Sequence, residues 1–192
     1  DIIDFQMGGK PYSIFISKAV CFPQAYAAAI PVFQKLRQYP KTTIIDIGGF
    51  TADYLIMKNG EPDLAACDSL ENGVIMLYNR IKAKINADLD MLLDESDIDA
   101  VLKEQQTEYD DTVIRIISEQ AQAFIDDLFG KLRERMIDLR SGKTVFVGGG
   151  SILLKKQIEN SEKVGSAIFV ESISANSRGY ELLYQASCGG DR

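Results

Sequence analysis

The 192-residue sequence contains no histidine, and that absence removes imidazole acid–base catalysis, histidine-based triads and histidine-ligated metals. Any chemistry must use carboxylates, amides, hydroxyls, backbone dipoles or a bound cation. Cysteine is scarce. Cys21, Cys67 and Cys188 are odd in number and far apart, with no C-x-x-C pair, which supports neither a disulfide framework nor a zinc site and suits a reducing cytoplasm. Long apolar runs are lacking too: the best candidate, Ala25 to Phe33, is interrupted by Pro31 and falls short of the roughly 20 residues that cross a bilayer. No basic segment ahead of an apolar one marks a signal peptide, and no membrane association is expected. Positive charge is in deficit, with 21 Lys and Arg against 28 Asp and Glu and a net charge of −7. Direct binding to nucleic acid or acidic lipid rests on cations that neutralise phosphates, so it is not expected, and any contact with DNA would go through a partner.

What is present is enough apolar surface, 46% of residues, for one core or one domain with a smaller lobe. There is no initiator Met, and structure-forming residues occupy the first positions, so the sequence reads as a piece of a longer protein. Alternation through Ile2, Asp4 and Phe5, a turn at Gly8-Gly9-Lys10 and resumption at Tyr12, Ile14 and Ile16 predict a β-hairpin. A third extended run, Ala19 to Phe22, precedes an Ala-rich helix from Gln24 to Gln38, which Pro31 should kink or divide.

Thr43 to Ile47 reads as a strand buried on both faces. Asp53 to Met57 and Pro62 to Cys67, joined by the Asn59-Gly60 turn, complete a three-stranded antiparallel meander. Val74, Leu77, Tyr78, Ile81 and Ile85 recur at helical spacing. Residues 88–111 turn acidic and read as part of a peripheral helical lobe, with Ser96 as N-cap and Asp99 three residues on. A long helix from Asp111 to Leu139, a buried strand from Thr144 to Val147, a helix from Ile152, a strand from Ala167 to Val170 and a helix from Ser177 to Gln185 follow. The fold class is α/β, a mixed sheet flanked by helices.

Two glycine turns carry the chemistry. In Ile44-Ile45-Asp46-Ile47-Gly48-Gly49-Phe50-Thr51-Ala52-Asp53, a buried strand delivers a carboxylate into a Gly-Gly turn. Backbone amides from Gly48 to Thr51 and the Thr51 hydroxyl can point at phosphate oxygens, and Asp46 can hold a hydrated Mg²⁺, which keeps several waters and takes one or two carboxylates. A plain hairpin turn capped by Asp46 is equally compatible with this spacing. In Val145-Phe146-Val147-Gly148-Gly149-Gly150-Ser151, side chains vanish where a strand enters a helix, which admits a nucleotide. Tight helix packing explains that triplet as well. It is not a Walker A loop, since no Lys-Ser/Thr follows.

The order of these elements, an Asp-x-Gly-Gly-x-Thr-x-Asp hairpin, a helix, an inserted lobe and a Gly-Gly-Gly strand–helix turn, resembles the actin/sugar-kinase/chaperone ATPase superfamily with its ribonuclease H-like fold. Val20-Cys21-Phe22-Pro23-Gln24, Asp68-Ser69-Leu70-Glu71-Asn72-Gly73-Val74 and Ala175-Asn176-Ser177-Arg178-Gly179-Tyr180 are similar to the plasmid-segregation actin-like (ParM/StbA) branch. The resemblance spans nearly the whole chain and supplies the second of two domains, with 1–87 and 112–192 as its core.

It implies ATP, or GTP, with Mg²⁺ as ligands. Asp46 would order waters around Mg²⁺, while Gly48, Gly49, Phe50 and Thr51 grip the β and γ phosphates and Gly148, Gly149, Gly150 and Ser151 face adenine and ribose. Gln24 falls where the family orients the attacking water. Gln cannot take a proton, so its part would be positioning, and its alternative is an ordinary first residue of a helix. Asp53 would support Asp46 or line the cleft, or stand as a solvated hairpin carboxylate. Glu71 and Asn72 would reach the ribose, although such residues open helices in any case.

The family's first phosphate loop belongs to the preceding domain and is not found in this chain. The implied function is a head-to-tail filament that moves plasmids through a DNA-binding adaptor. The alternatives are a small-molecule kinase and a non-polymerising scaffold.

Overall fold

The computed structural model describes residues 2–172 and 174–188; the side chain of Cys188 lies outside the described set. Its centre is β3 (Lys41–Ile47), buried over six of its seven residues, as a β-branched run covered on both faces should be. β4 (Ala52–Lys58) and β5 (Glu61–Leu70) pair antiparallel to it in succession, with Asn59 and Gly60 both at positive φ in the tight turn between them. β5 is longer than expected and is bent by a register shift between Leu55 and Ile56. On the other side, β6 (Lys143–Val147) and β7 (Ala167–Phe169) run parallel to β3. The sheet order is β5-β4-β3-β6-β7, a mixed α/β sheet containing the expected meander.

Alternation along the strands gives the sheet two covered faces. Ile45, Ile47, Tyr54, Ile56 and Phe146 meet α3 (Val74–Leu89) and α5 (Asp111–Glu134) in the larger core. Ile44, Leu55, Met57, Val145 and Val147 meet α1 (Gln24–Ala29) and the final helix, α8 (Ala175–Cys188). Asp46 lies in the file of Ile44, on the α1/α8 face. Ala25, Ala28, Ala29 and Ala175 are buried there, and their small side chains let the helices approach closely.

Pro31 divides the first helix as expected: a 3-10 turn, Ile30–Val32, separates α1 from α2 (Phe33–Leu36). Ala19 to Phe22 is not a strand, because β1 (Ile2–Met7) and β2 (Lys10–Phe15) pair only with each other and offer it no described ladder to join. This hairpin, turned at positive φ by Gly8 and Gly9, keeps Ile2, Met7 and Phe15 more than half exposed.

α5 stops five residues before Leu139. Met136 adopts φ 62° and Ile137 N–H donates to Leu132 O, ending the helix without a glycine. Ile137 and Leu139 stay buried beyond the helix end. The last glycine-led helix starts at Gly149 rather than Ile152 and breaks at Leu154 into α6 (Gly149–Leu153) and α7 (Lys155–Glu159). β7 ends one residue early, and α8 outgrows its expected span at both ends.

α4 (Glu95–Leu102) buries Ile98, Val101 and Leu102 in the larger core. Its N-cap is Asp94, not Ser96. Asp94 accepts from Asp97 N–H at 3.0 Å, and Asp97 accepts from Asp94 N–H at 2.8 Å, while Ser96 donates its hydroxyl to Asp94. Carboxylates win this capping box because both oxygens accept. The Ser96 hydroxyl, followed by the Asp97 amide, holds the Asp94 carboxyl below its ordinary value. A depressed folded-state pKa contributes stability above the unfolded value and loses it as pH falls through the folded one. Asp94→Ala should therefore lower the melting temperature at neutral pH, and the difference from wild type should vanish in acid. Circular dichroism melts across pH check this; a difference independent of pH would contradict it.

Candidate nucleotide site at the carboxyl edge of the sheet

β3 and β6 are parallel neighbours with Asp46 opposite Val147. Their carboxyl ends therefore bring both glycine turns to one edge of the sheet, where open α/β sheets accept ligands. In the first turn, Gly48 N–H donates to Thr51 O at 2.8 Å. The start of α3 then seizes the turn's carbonyls: Gly73 N–H donates to Phe50 O, Val74 N–H to Gly48 O and Ile75 N–H to Gly49 O, at 2.9–3.0 Å. Groups that a helix N-terminus leaves without partners thus fix the turn. The N–H groups of Gly49, Phe50 and Thr51 have no partner among the described residues, as an anion-binding turn requires. Gly48 is a correction to the sequence reading, because its amide is spent inside the hairpin. The Thr51 hydroxyl is spent too, donating to Asp53 at 3.3 Å. Asp53 therefore holds Thr51, and the Phe50 ring stands 79% exposed at the tip.

Asp46 is 2% exposed. Gln24 Nε2 donates to its Oδ2 at 3.1 Å and Asn176 Nδ2 to the same oxygen at 2.9 Å. No Lys or Arg pairs with it among the described residues. Asp53 sits directly opposite across the β3–β4 ladder, and like charges in that relation repel. Two facing carboxylates without a paired cation fit a hydrated divalent ion that takes one or two protein oxygens. No group of three or more His, Cys, Asp or Glu forms a fuller cage among the described residues.

In the second turn, Gly148 adopts φ 85° and ψ 161°, a region open essentially to glycine. Gly150 packs: an added Cβ would lie 2.6 Å from Ile47 Cγ2 and Val74 Cγ2. The Ser151 hydroxyl is buried and donates to Val147 O at 2.5 Å. Helix packing therefore accounts for Gly150 and Ser151, Gly148 lies against Asp46 Oδ1 and Ile47 O, and Gly149 remains open to the edge. Asn72 is also withdrawn, being buried with its side-chain oxygen accepting from Lys131 Nζ at 2.7 Å, and Glu71 is exposed.

Gly48, Gly49, Gly149 and Gly150 border one cavity of about 390 Å³ together with Tyr78, Asp99 and Lys103. None of these last three is read as a site residue from the sequence, where Tyr78 belongs to a helical repeat and Asp99 to a helix cap. Tyr78 donates to Asp99 at 2.6 Å and Asp99 pairs with Lys103 at 2.6 Å. Burial first, then the Asp99 carboxylate, raises the Tyr78 phenol above its ordinary value, so it stays a donor at neutral pH. Tyr78 reads as part of the apolar helical stripe, and only the Asp99/Lys103 spacing of four hinted at a pair.

A family model described as the archaeal actin homologue MreB-like, C-terminal, matches residues 44–160, well over half of the chain. No curated protein matches it significantly. Among solved structures, the archaeal actin homologue Ta0583 in complex with ADP superposes with TM-score 0.68 at 20% identity, over 97% of this chain and 64% of that one. The Alp12 filament structure gives 0.64 at 17% identity, over 98% and 60%. ParM of Bacillus thuringiensis with ADP gives 0.58 at 15%, over 78% and 48%. The chain thus spans less than two thirds of the length of each. The fold is the actin-like one, and the chain belongs to the archaeal MreB-like actin homologue family, matching its C-terminal domain.

Proposed function

We propose that this chain is the second domain of a two-domain actin-like ATPase that assembles head-to-tail into filaments. Its core would be 1–87 and 112–192, and 88–111, expected as part of a peripheral lobe, joins that core through Ile98, Val101 and Leu102 of α4. The observation that carries the reading is the buried carboxylate of Asp46, paired with no Lys or Arg among the described residues and clamped by Gln24 between two glycine turns. The amides of Gly49, Phe50 and Thr51, without partners among the described residues, would take phosphate oxygens, and the cavity beside Gly149, Tyr78 and Lys103 would take the nucleoside. Mg²⁺ would be held through water by Asp46, and it supplies neutralisation of charge on the transferring phosphoryl group. Gln24 orients water and does not take its proton, so turnover should be slow. The exposed apolar hairpin residues Ile2, Met7 and Phe15 offer a surface on which a further domain would pack.

Ta0583 and Bacillus thuringiensis ParM with ADP, and Alp12 as a filament, support nucleotide binding and polymerisation. Plasmid or DNA segregation in the cytoplasm through a DNA-binding adaptor extends that reading, and ATP and GTP are both admitted. Head-to-tail contacts are heterologous and need not close, as a filament requires. The full-length protein should pellet at micromolar concentration with Mg-ATP and stay in the supernatant without it, whereas this chain alone should show no stoichiometric turnover. Failure of the full-length protein to pellet with ATP or GTP would count against polymerisation.

A further inference from the structure

We propose that Asn176, in the first turn of α8, is a positioning residue for Asp46, selecting which carboxylate oxygen faces the glycine turns. The proposal rests on the reading of Asp46 as the residue that orders water around a Mg-nucleotide. Asn176 lies 130 positions from Asp46 in sequence, yet its amide and that of Gln24 converge on one oxygen, Oδ2. A buried carboxylate needs donors in place of water, and these two amides are its side-chain donors among the described residues. The orientation of the Asn176 amide is fixed, since reversing it would set oxygen against oxygen. Asn176 Oδ1 is itself buried without a partner among the described residues, so the side chain is not capping its own helix; its hydrogen bond is to Asp46.

Both bonds fall on Oδ2, which leaves Oδ1 as the oxygen against Gly148. The two donors also ride on one packed pair of helices. Ala175 is buried with Ala25, Ala28 and Ala29, and Tyr180 donates to Phe22 O at 3.5 Å, just ahead of α1. Any shift of α8 against α1 therefore turns the carboxylate, and α8 becomes part of the site.

In the full-length protein, Asn176→Ala should lower kcat about 10- to 100-fold, the scale of a misplaced reacting group, with KM for Mg-ATP changed less than about threefold. Asn176→Asp, nearly isosteric but acceptor in place of donor, should be worse than Asn176→Ala. A packing role demands the reverse order, and that order, or an unchanged kcat in Asn176→Ala while Gln24→Ala lowers it, overturns the proposal. The nucleotide-free protein gives an independent readout: the Asn176 side-chain NH₂ resonance should exchange slowly with solvent, and Asp46→Ala should release it. Absence of that protection refutes the contact whatever the activity. If the wild-type protein turns over no nucleotide, the ATPase reading falls, and the amide resonance alone decides whether Asn176 holds Asp46.

Discussion

Gly148→Ala is expected to abolish nucleotide binding by the full-length protein while leaving a folded chain. Two costs coincide there. The backbone at φ 85° and ψ 161° is a conformation that a side chain occupies only with strain of about 1–3 kcal/mol. The added Cβ would also overlap Asp46 Oδ1 and lie 2.7 Å from Ile47 O. Ile47 is a backbone neighbour in the central strand and cannot yield, so Asp46 must swing away, which breaks the bonds from Gln24 and Asn176. Gly149→Ala is the companion measurement: its Cβ meets nothing within 4 Å, so the melting temperature should stay at the wild-type value while any loss of affinity reports the ligand itself. Titration with a fluorescent nucleotide and thermal melts of both variants separate these effects. Gly148→Ala binding as tightly as wild type would show that the second turn does not set the carboxylate.

The central architecture was legible because each of its signals was local. A β-branched run, a Gly-Gly turn and an Asn-Gly turn fix β3, β4 and β5 within 30 positions. The triple glycine marks the second turn, and Pro31 divides its helix where the ring forbids continuation. What stayed hidden was set by contacts far apart in sequence. Asn176 belongs to the site only because α8 packs back on α1, and Lys131 removes Asn72 from solvent across 59 positions. Tyr78 could not be told from a core residue, since its ring serves the helical stripe while its hydroxyl reaches Asp99.

Other misreadings have equally physical causes. The long helix was expected to run to Leu139 because no glycine or proline stands between Leu132 and Ser141-Gly142, although a left-handed Met136 had already ended it. Ser96 is a good cap in isolation, but Asp94, two residues earlier, binds both the Asp97 amide and the Ser96 hydroxyl. The Gly48 amide looked free because the sequence does not reveal that the turn closes on Thr51 O. The same closure, with α3 holding the turn's carbonyls, leaves the next three amides without partners among the described residues, where they can meet an anion.

Phe146→Ala should cost about 3–5 kcal/mol, the range for truncating a fully buried aromatic, against a total stability of about 5–15 kcal/mol for such domains. The ring is fully buried, stacked at 5.4 Å on Phe169 and tilted at 6.0 Å against Phe129, so it joins β6, β7 and α5 at one point. Phe146 lies opposite Ile45 on β3 and two residues ahead of Gly148. A cavity there lets β6 settle and moves the second glycine turn relative to Asp46. Phe124→Ala, on α5, removes an equally buried ring from an element that leads into neither turn. Urea melts should therefore show similar losses for the two variants with little change in slope. Nucleotide affinity, measured at a temperature where both are folded, should fall for Phe146→Ala and hold for Phe124→Ala. Equal affinity losses would mean that global stability, and not the seat of β6, governs the site.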